Sequence, residues 1–136
     1  DPTMRTDLPV EFAEVTGAEK KLIRWMEKFG EWNCAMQVSH WGEAGQAAWT
    51  VDVCQPGLYE VAVTHKDQNN GRPVWRIATD EGQHLQNQQA ATPKYQAWPM
   101  GVFEFKTAGK HMLRVTLVDG NRTDASLESI HIQPVE

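Results

Sequence analysis

The chain has 136 residues, of which 40% are hydrophobic and 23% charged, and its formal net charge is −5. This length suits one domain rather than two, and the composition excludes a disordered chain. The negative charge argues against sequence-independent nucleic-acid binding, and no apolar run approaches the roughly 20 residues of a membrane span, so we expect neither partner.

The N-terminal part is predicted to hold one strand and one helix. After a loose entry at Asp1–Pro9, apolar and polar residues alternate at Val10–Val15 as in a short strand. Ala18–Phe29 carries a helical apolar stripe, and Gly30 follows as a helix stop. The stripe consists of Leu22, Trp25, Met26 and Phe29, widened by Ile23. Such a stripe normally packs against a sheet or a neighbouring domain.

The rest of the chain alternates in the manner of short antiparallel strands. We predict strands at Cys34–His40, Trp49–Val53, Leu58–His65, Val74–Thr79, Gly101–Lys106, His111–Val118 and Leu127–Gln133. Pro-Gly and Ala-Gly turns predict two hairpins, Trp49–His65 and Phe103–Gly120, whereas the signal is weak from Asp80 to Trp98. About eight strands of this kind predict an all-β jelly-roll sandwich. We divide the single domain into a strand-and-helix segment, residues 1–33, and the sandwich, residues 34–136.

Catalytic and metal motifs are missing from the sequence. The histidines show no metal-ligand spacing, the serines stand in no G-x-S-x-G motif, and no glycine-rich phosphate loop occurs. Glycoside hydrolysis uses a pair of carboxylates. Candidate pairs here are Glu11 with Glu14 and Glu43 with Asp52, but acidic residues are common enough that such pairs carry little weight. We therefore predict that the isolated chain is not an enzyme.

Six tryptophans are many for this length, and burial in the core accounts for most of them. Trp49 and Trp75 stand inside alternating strands, so we expect both in the core. The two cysteines, Cys34 and Cys54, pair if they lie on neighbouring strands and are otherwise buried thiols. The sequence leaves both alternatives open.

Three blocks of the sequence resemble a known class of module. They are W-x-V-x-V-x-x-P-G-x-Y-x-V-x-V from Trp49 to Val63, AGKHMLRVTL at Ala108–Leu117 and DASLESIHI at Asp124–Ile132. The pattern resembles galactose-binding-like β-sandwiches, including family 6 and family 35 carbohydrate-binding modules. This resemblance implies a non-catalytic module that binds carbohydrate weakly through aromatic residues in its loops.

The resemblance also implies where the sugar binds. In such modules the ligand often lies at the loop edge, between an aromatic residue and polar groups near the last strand. The matching residues here are Trp41, Tyr95, Trp98, Asn121 and Asp124, and Ser126 stands where the family usually has Asn or Asp. As alternatives, the tryptophans pack in the core and Asn121 and Asp124 form a turn.

A structural calcium ion is common in the resembled modules. Its oxygen ligands here would come from Glu11, Glu14 and Asp124, although no D-x-D-x-D spacing supports the site. Asn121-Arg122-Thr123 also matches a glycosylation sequon, a tripeptide that occurs often by chance.

A second resemblance concerns the context of the module. KLIRWMEKFGEWN, Lys21–Asn33, is similar to the segment that ends the catalytic barrel of α-L-fucosidases. Such enzymes commonly carry a C-terminal β-sandwich, which implies a secreted or periplasmic protein whose partners are carbohydrate and a preceding catalytic domain. The alternative is a structural module that buttresses the catalytic domain and has no ligand of its own.

Overall fold

The computed structural model describes residues 5–28, 30–67, 72–89, 92 and 94–135, except for the side chains at 23–28 and 31–35. Within these ranges the chain forms eleven strands and one short 3-10 helix, Val10–Phe12. The strands are β1 (Thr6–Pro9), β2 (Glu14–Thr16), β3 (Glu19–Lys28), β4 (Glu31–Ser39), β5 (Gln46–Val53), β6 (Gly57–Lys66), β7 (Val74–Thr79), β8 (His84–Gln88), β9 (Gln96–Phe105), β10 (Gly109–Asp119) and β11 (Ser126–Pro134). No helix among the described residues is long and apolar enough to cross a membrane.

The strands form two antiparallel sheets. Sheet A has the order β3-β4-β11-β6-β9, with β1 also paired to β11, and sheet B has the order β2-β5-β10-β7-β8. One apolar layer lies between them and takes side chains from both sheets, among them Trp75, Phe103 and Leu113. Each such burial is worth about 1.5–3 kcal/mol. The predicted all-β sandwich is confirmed, and Trp49 and Trp75 lie in its core as expected.

The two predicted hairpins are wrong. β5 belongs to sheet B and β6 to sheet A, and in the same way β9 belongs to sheet A and β10 to sheet B. Both turns therefore cross from one sheet to the other, and Trp49 pairs with Leu113 while Tyr59 pairs with Phe103. A strand that buries one face has the same alternation whether its neighbour in sequence lies beside it or opposite it. The pattern consequently identified the strands without identifying their partners.

The predicted helix at Ala18–Phe29 is also wrong. Residues Glu19–Lys28 instead form strand β3, which pairs with β4 from Glu19 opposite Ser39 to Lys28 opposite Glu31. The ladder to β4 satisfies the backbone groups on one side of this edge strand, and this tertiary pairing overrides a helical spacing of apolar residues. Leu22 from the predicted stripe is 53% exposed. Phe29 and the side chains of Ile23, Trp25 and Met26 are not among the described parts of the structure.

Three smaller differences concern the least regular parts of the chain. The expected strand at Val10–Val15 is divided into the 3-10 helix and β2, and the expected loose entry contains β1. Strand β8 lies in the stretch where the alternation was weak. Cys54 is exposed and free, and the side chain of Cys34 lies outside the description.

Side chains from β8 and from the residues on either side of it cover the outer edge of β9. Gln83 exchanges hydrogen bonds with the backbone of Glu104, and Asn87 donates to the carbonyl oxygen of Met100 at 2.5 Å. Farther along, the Gln89 amide donates to the sulfur atom of Met100 at 3.0 Å. An unpaired strand edge is a template for aggregation, and these amides satisfy backbone groups that would otherwise be open.

His65 is a fully buried titratable residue in the core. Its ring lies 5.8 Å from that of Trp75, and neither ring nitrogen has a hydrogen-bond partner among the described residues. Burial lowers the pKa of His65 from 6.5 to about 4, although the charge of Asp67 opposes this shift. The imidazole is therefore neutral in the folded protein at neutral pH.

We expect His65 to make the fold sensitive to mild acid. The unfolded chain takes up a proton below about pH 6.5 that the folded chain accepts only near pH 4, so stability falls as the pH is lowered through this window. The full loss is about 3 kcal/mol. His65→Phe keeps a ring beside Trp75 and removes this loss, as urea unfolding at about pH 7.5 and about pH 4.5 would measure.

Other titratable groups lower the folding stability in acid equally in the wild type and in His65→Phe, so their contribution cancels when the two proteins are compared. Parallel stability profiles for the wild type and His65→Phe would show that His65 does not set the acid limit.

Candidate functional site

The loops that carry most of the predicted site residues meet at one end of the sandwich, here called the top end. Lys66 at the end of β6 pairs with Ser126 at the start of β11, and His65 pairs with Gln96 at the start of β9. The end of β4 joins them, because Val38 pairs with Leu127. The connections next to these strand ends therefore lie together, whereas the turns after β5 and after β9 lie at the opposite end.

Close backbone contacts fix the top-end loop that follows β4. The Gly42 N–H donates to the Gly17 carbonyl at 2.7 Å, and the Trp41 N–H donates to the Arg122 carbonyl at 2.8 Å. The Arg122 guanidinium in turn donates to the Gly42 carbonyl at 2.9 Å. A Cβ atom on Gly45 would lie 2.7 Å from the Gly17 oxygen, so this position requires glycine.

A polar hollow of about 260 Å³, the top recess, opens between these loops and the outer face of sheet A. Its lining combines an amide, hydroxyls, an imidazole, an ammonium group and a carboxylate, from Gln37, Ser39, His40, Lys66, Thr123, Asp124 and Ser126. Such a set offers both donors and acceptors to a ligand.

Tyr95 is held against this lining. Its hydroxyl donates to the Gln37 side-chain oxygen at 2.7 Å, and the Lys66 ammonium lies 4.7 Å from the centre of its ring. Burial raises the pKa of the Tyr95 phenol, and the charge of Glu128 adds to this effect. The phenol therefore stays protonated and serves as a fixed donor, with a cation over one ring face.

His40 has a strained backbone beside the recess. Its φ of 54° lies in the left-handed region, which is uncommon for residues other than glycine and clusters at functional sites. Its Nδ1 atom lies 2.9 Å from the Ser39 hydroxyl and 2.9 Å from a carboxylate oxygen of Glu19. These contacts fix the imidazole at the rim.

Of the predicted polar residues, Asp124 lines the recess and Asn121 shapes the loop that carries it. The Asn121 side-chain oxygen accepts hydrogen bonds from the backbone N–H of Thr123 at 3.0 Å and of Asp124 at 3.2 Å. This geometry is an Asx turn, which agrees with the alternative that Asn121 forms a turn. Asn121 thus acts on the recess through the position of Asp124.

The two predicted tryptophans lie elsewhere. Trp41 is 3% exposed, its indole N–H donates to the Ala125 carbonyl at 2.8 Å, and its ring meets Trp75 edge to face. Trp98 is half-buried on β9 opposite Val63 and packs against the core. Neither is among the residues that line the top recess. Both positions agree with the alternative that these tryptophans pack in the core.

The proposed calcium ligands are not gathered by the fold. Glu11 lies on the 3-10 helix, Glu14 on β2 and Asp124 in the loop before β11. Within the described part of the chain, no three or more His, Cys, Asp or Glu side chains form a group that could hold a metal ion.

Five recess residues were not predicted as binding residues, namely Thr123, Gln37, Ser39, His40 and Lys66. The last four stand at or near the ends of β4 and β6, where polar residues on the outer face are common. Their only signal was a polar position in an alternating strand, and this signal does not separate a binding residue from an ordinary solvent-facing one.

A second arrangement that the sequence did not reveal links β1 to sheet A. The Asp7 carboxylate lies 2.7 Å from Nδ1 of His131, whose Nε2 lies 2.6 Å from the Thr64 hydroxyl and 3.2 Å from that of Ser129. The His131 bond lowers the pKa of Asp7. This order matches a hydrolase triad, but Thr64 is 9% exposed and Ser129 6%, so substrate has little access to either hydroxyl.

We expect Gly45→Ala to loosen the top end. The added methyl group meets backbone oxygens of Gly17 and Gly42, which cannot move aside as a flexible side chain would. Overpacking of this kind destabilises by about 1–3 kcal/mol. Ala44→Ser, at an exposed neighbouring position, is the matched control. Equal thermal unfolding midpoints of the two variants would contradict the close packing described here.

Comparison with known proteins shows similarity at the level of structure. No family model and no curated protein matches the sequence. The GH26-CBM35 β-(1,4)-mannanase of Podospora anserina superposes with a TM-score of 0.74 at 12% identity, over 98% of this chain and 28% of that one. This chain thus spans little more than a quarter of the mannanase chain.

Two isolated modules match over nearly their whole length. The carbohydrate-binding module CBM6cm-2 of Cellvibrio mixtus lichenase 5A, solved with cellotriose, gives a TM-score of 0.70 at 14% identity, covering 96% of this chain and 98% of that one. A family 35 carbohydrate-binding module from Clostridium thermocellum gives 0.65 at 13% identity, covering 97% and 99%. The chain therefore has the β-sandwich fold of carbohydrate-binding modules.

Proposed function

We propose that this chain is a non-catalytic accessory module of a glycan-degrading enzyme and binds carbohydrate weakly at the top recess. The observation that carries the proposal is the convergence of polar side chains from β4, β6 and the loop before β11 beside the fixed phenol of Tyr95. Sugar hydroxyls both donate and accept hydrogen bonds, and the recess presents groups of both kinds.

The size and shape of the recess support weak binding of a short sugar unit. Its volume of about 260 Å³ is below the range of about 300–1,000 Å³ that is common for pockets enclosing drug-sized ligands. Lys66 supplies a donor, Asp124 an acceptor and Gln37 an amide. The ring of Tyr95 borders the recess, but Lys66 covers one of its faces, so polar contacts contribute most of the binding.

The structurally similar proteins support the accessory role. The mannanase that matches this chain is much longer than the matched part, and the full-length matches are carbohydrate-binding modules by their descriptions. We therefore propose a catalytic domain as the partner and a location outside the cytoplasm. The resemblance of Lys21–Asn33 to α-L-fucosidases is the sole support for a fucosidase parent. Because this segment forms β3 and β4, our proposal leaves the sugar of the parent enzyme open.

A structural role without a ligand is the second candidate, and exposed apolar side chains favour it. Phe12 is 78% exposed on the 3-10 helix, and Leu22 stands open on β3, at the edge of sheet A. A neighbouring domain that covers these side chains would use the module as a buttress.

The test is glycan binding by matched lysine variants. The wild type is first screened on an array that includes manno-, cello-, galacto- and fucosylated glycans, and hits are measured by calorimetry. Lys66→Gln removes a charged donor from the recess, and hydrogen bonds to charged groups contribute about 1.5–3 kcal/mol, so we expect affinity to fall roughly 10- to 150-fold. Lys110→Gln, at an exposed position on β10, is the control and should bind like the wild type.

Two results would argue against this function. Equal binding by Lys66→Gln and Lys110→Gln would remove the top recess as the site. A wild type that binds nothing on the array would favour the buttress instead.

A further inference from the structure

His111 is a histidine buried at the bottom end of the sandwich, opposite the top recess. Its side chain is 4% exposed, and its ring lies 4.8 Å from that of Phe105. Two turns meet beside it, the β7–β8 turn at residues 80–83 and the β9–β10 turn at residues 106–108. None of these residues lines the top recess, so the proposed function does not use this cluster.

Both ring nitrogens of His111 face hydrogen-bond acceptors. Nδ1 lies 3.1 Å from a carboxylate oxygen of Asp80 and 3.4 Å from one of Glu81. Nε2 lies 2.8 Å from the Thr107 carbonyl oxygen. Ionised carboxylates and carbonyls accept hydrogen bonds and donate none. Because an imidazole donates from both nitrogens only in its charged form, these contacts fit an imidazolium.

The charges around the ring favour the same form. Burial lowers the pKa of His111, but the hydrogen bonds to the Thr107 carbonyl and to Asp80, together with the negative charges of Asp80 and Glu81, outweigh burial. The pKa of His111 is therefore raised above its ordinary value of 6.5. The buried ring holds its proton more firmly than a free histidine does.

Ionisable neighbours in the described strands face away from the ring. Along β5, β9, β10 and the turns next to them, such side chains alternate with core positions and are exposed, namely Asp52, Cys54, Glu104, Lys106 and Lys110. On β6, the Tyr59 phenol packs on Phe105 and donates to the Gln55 carbonyl at 2.5 Å. Among the described residues, Asp80 and Glu81 are thus the charged groups that act on His111.

The β7–β8 turn also covers the edge of β9. The Glu81 carboxylate accepts a hydrogen bond from the Lys106 N–H at 3.4 Å, and the Gln83 side-chain oxygen accepts one from the Glu104 N–H at 2.9 Å. Both contacts depend on the position of this turn. A charged His111 allows the two carboxylates of the turn to lie side by side, whereas a neutral ring leaves them to repel each other.

Thr107 provides a partner for each protonation state of His111. Its carbonyl accepts from the charged ring, and its hydroxyl, 3.5 Å from Nε2, can donate to that nitrogen in the neutral ring. Beside a neutral ring, the carbonyl at 2.8 Å faces a lone pair, so the backbone of the β9–β10 turn has to move. Loss of one proton therefore shifts this turn and removes the charge that holds the other.

We propose that His111 is a proton-operated latch, which holds the β7–β8 and β9–β10 turns together when the ring is charged and releases them when it is neutral. Because the folded-state pKa is raised, the latch stabilises the fold fully below pH 6.5, and this contribution is lost as the pH rises through the folded-state pKa. Release moves Glu81 and Gln83 away from β9 and opens the strand edge that they cover. The latch acts in the opposite pH direction to His65, whose burial disfavours its proton.

Nitrogen-15 NMR of the histidine rings in the full chain tests the charged state directly. We expect His111 to carry protons on both nitrogens below pH 6.5 and on Nδ1 alone after it titrates. Hydrogen exchange at the Glu104 and Lys106 amides is followed over the same pH range. Their protection factors, which are corrected for the intrinsic effect of pH on exchange, should fall about tenfold for each unit by which the folded-state pKa exceeds 6.5.

Three variants at exposed positions separate the latch from a general effect of charge. Asp80→Asn removes a carboxylate that faces the ring, and it should lower the pKa of His111 and the pH at which protection is lost. Thr107→Val removes the hydroxyl that serves the neutral ring but keeps the carbonyl, and it should raise both. Asp52→Asn removes a nearby carboxylate that faces away, so it is the control and should leave both as in the wild type.

Three outcomes would overturn the latch. A single ring proton on His111 below pH 6.5 would contradict its charged state. Constant protection of the Glu104 and Lys106 amides while His111 titrates would show that the turns do not depend on the proton. Equal shifts of the His111 titration in Asp80→Asn and Asp52→Asn would attribute the titration to net charge alone.

Discussion

The shared apolar layer between the two sheets is the constraint on which the rest of the structure depends. Each sheet has one face that must leave water, and the chain meets this need by crossing between the sheets at every connection between consecutive strands except β3–β4 and β7–β8. Trp75, Phe103 and Leu113 are fully or almost fully buried as a result. The turns after β5 and after β9 lie at one end, and the loops after β4 and after β10 meet at the other end, where they border the top recess.

The same packing decides which aromatic residues of the top end are buried. Trp41 follows β4 at the top end, yet its indole N–H is used by the Ala125 carbonyl and its ring by Trp75. This contact holds the two top-end loops together and provides support for the recess. Tyr95, with its hydroxyl bound to Gln37, stays at the border of the recess. Aromatic side chains of the same end thus have different surroundings: Trp41 lies in the core, whereas Tyr95 lies beside the recess.

Polar networks also fix the outer parts of sheet A. The Asp7–His131 pair attaches β1 to β11, although its order resembles a hydrolase triad. At β9, the side-chain amides of Asn87 and Gln89 cover the strand edge. These contacts tie β1 and β8 to the strands of sheet A.

The sequence by itself determined the all-β sandwich and the position of most strands, because alternation records which face of a strand is buried. It did not determine the partner of each strand, since the alternation of β5 and β6 is the same in a hairpin and in a sheet crossing. At Glu19–Lys28 the spacing of the apolar residues is compatible with a helix. The segment is a strand because it pairs with β4, which the local sequence does not show. Of the residues that line the top recess, the sequence pointed to Asp124 and Ser126, whereas Gln37, Ser39 and Lys66 lie beside them only because of the register of β4, β6 and β11. Contacts between residues far apart in the chain carry no local signal, so tertiary structure alone decided them.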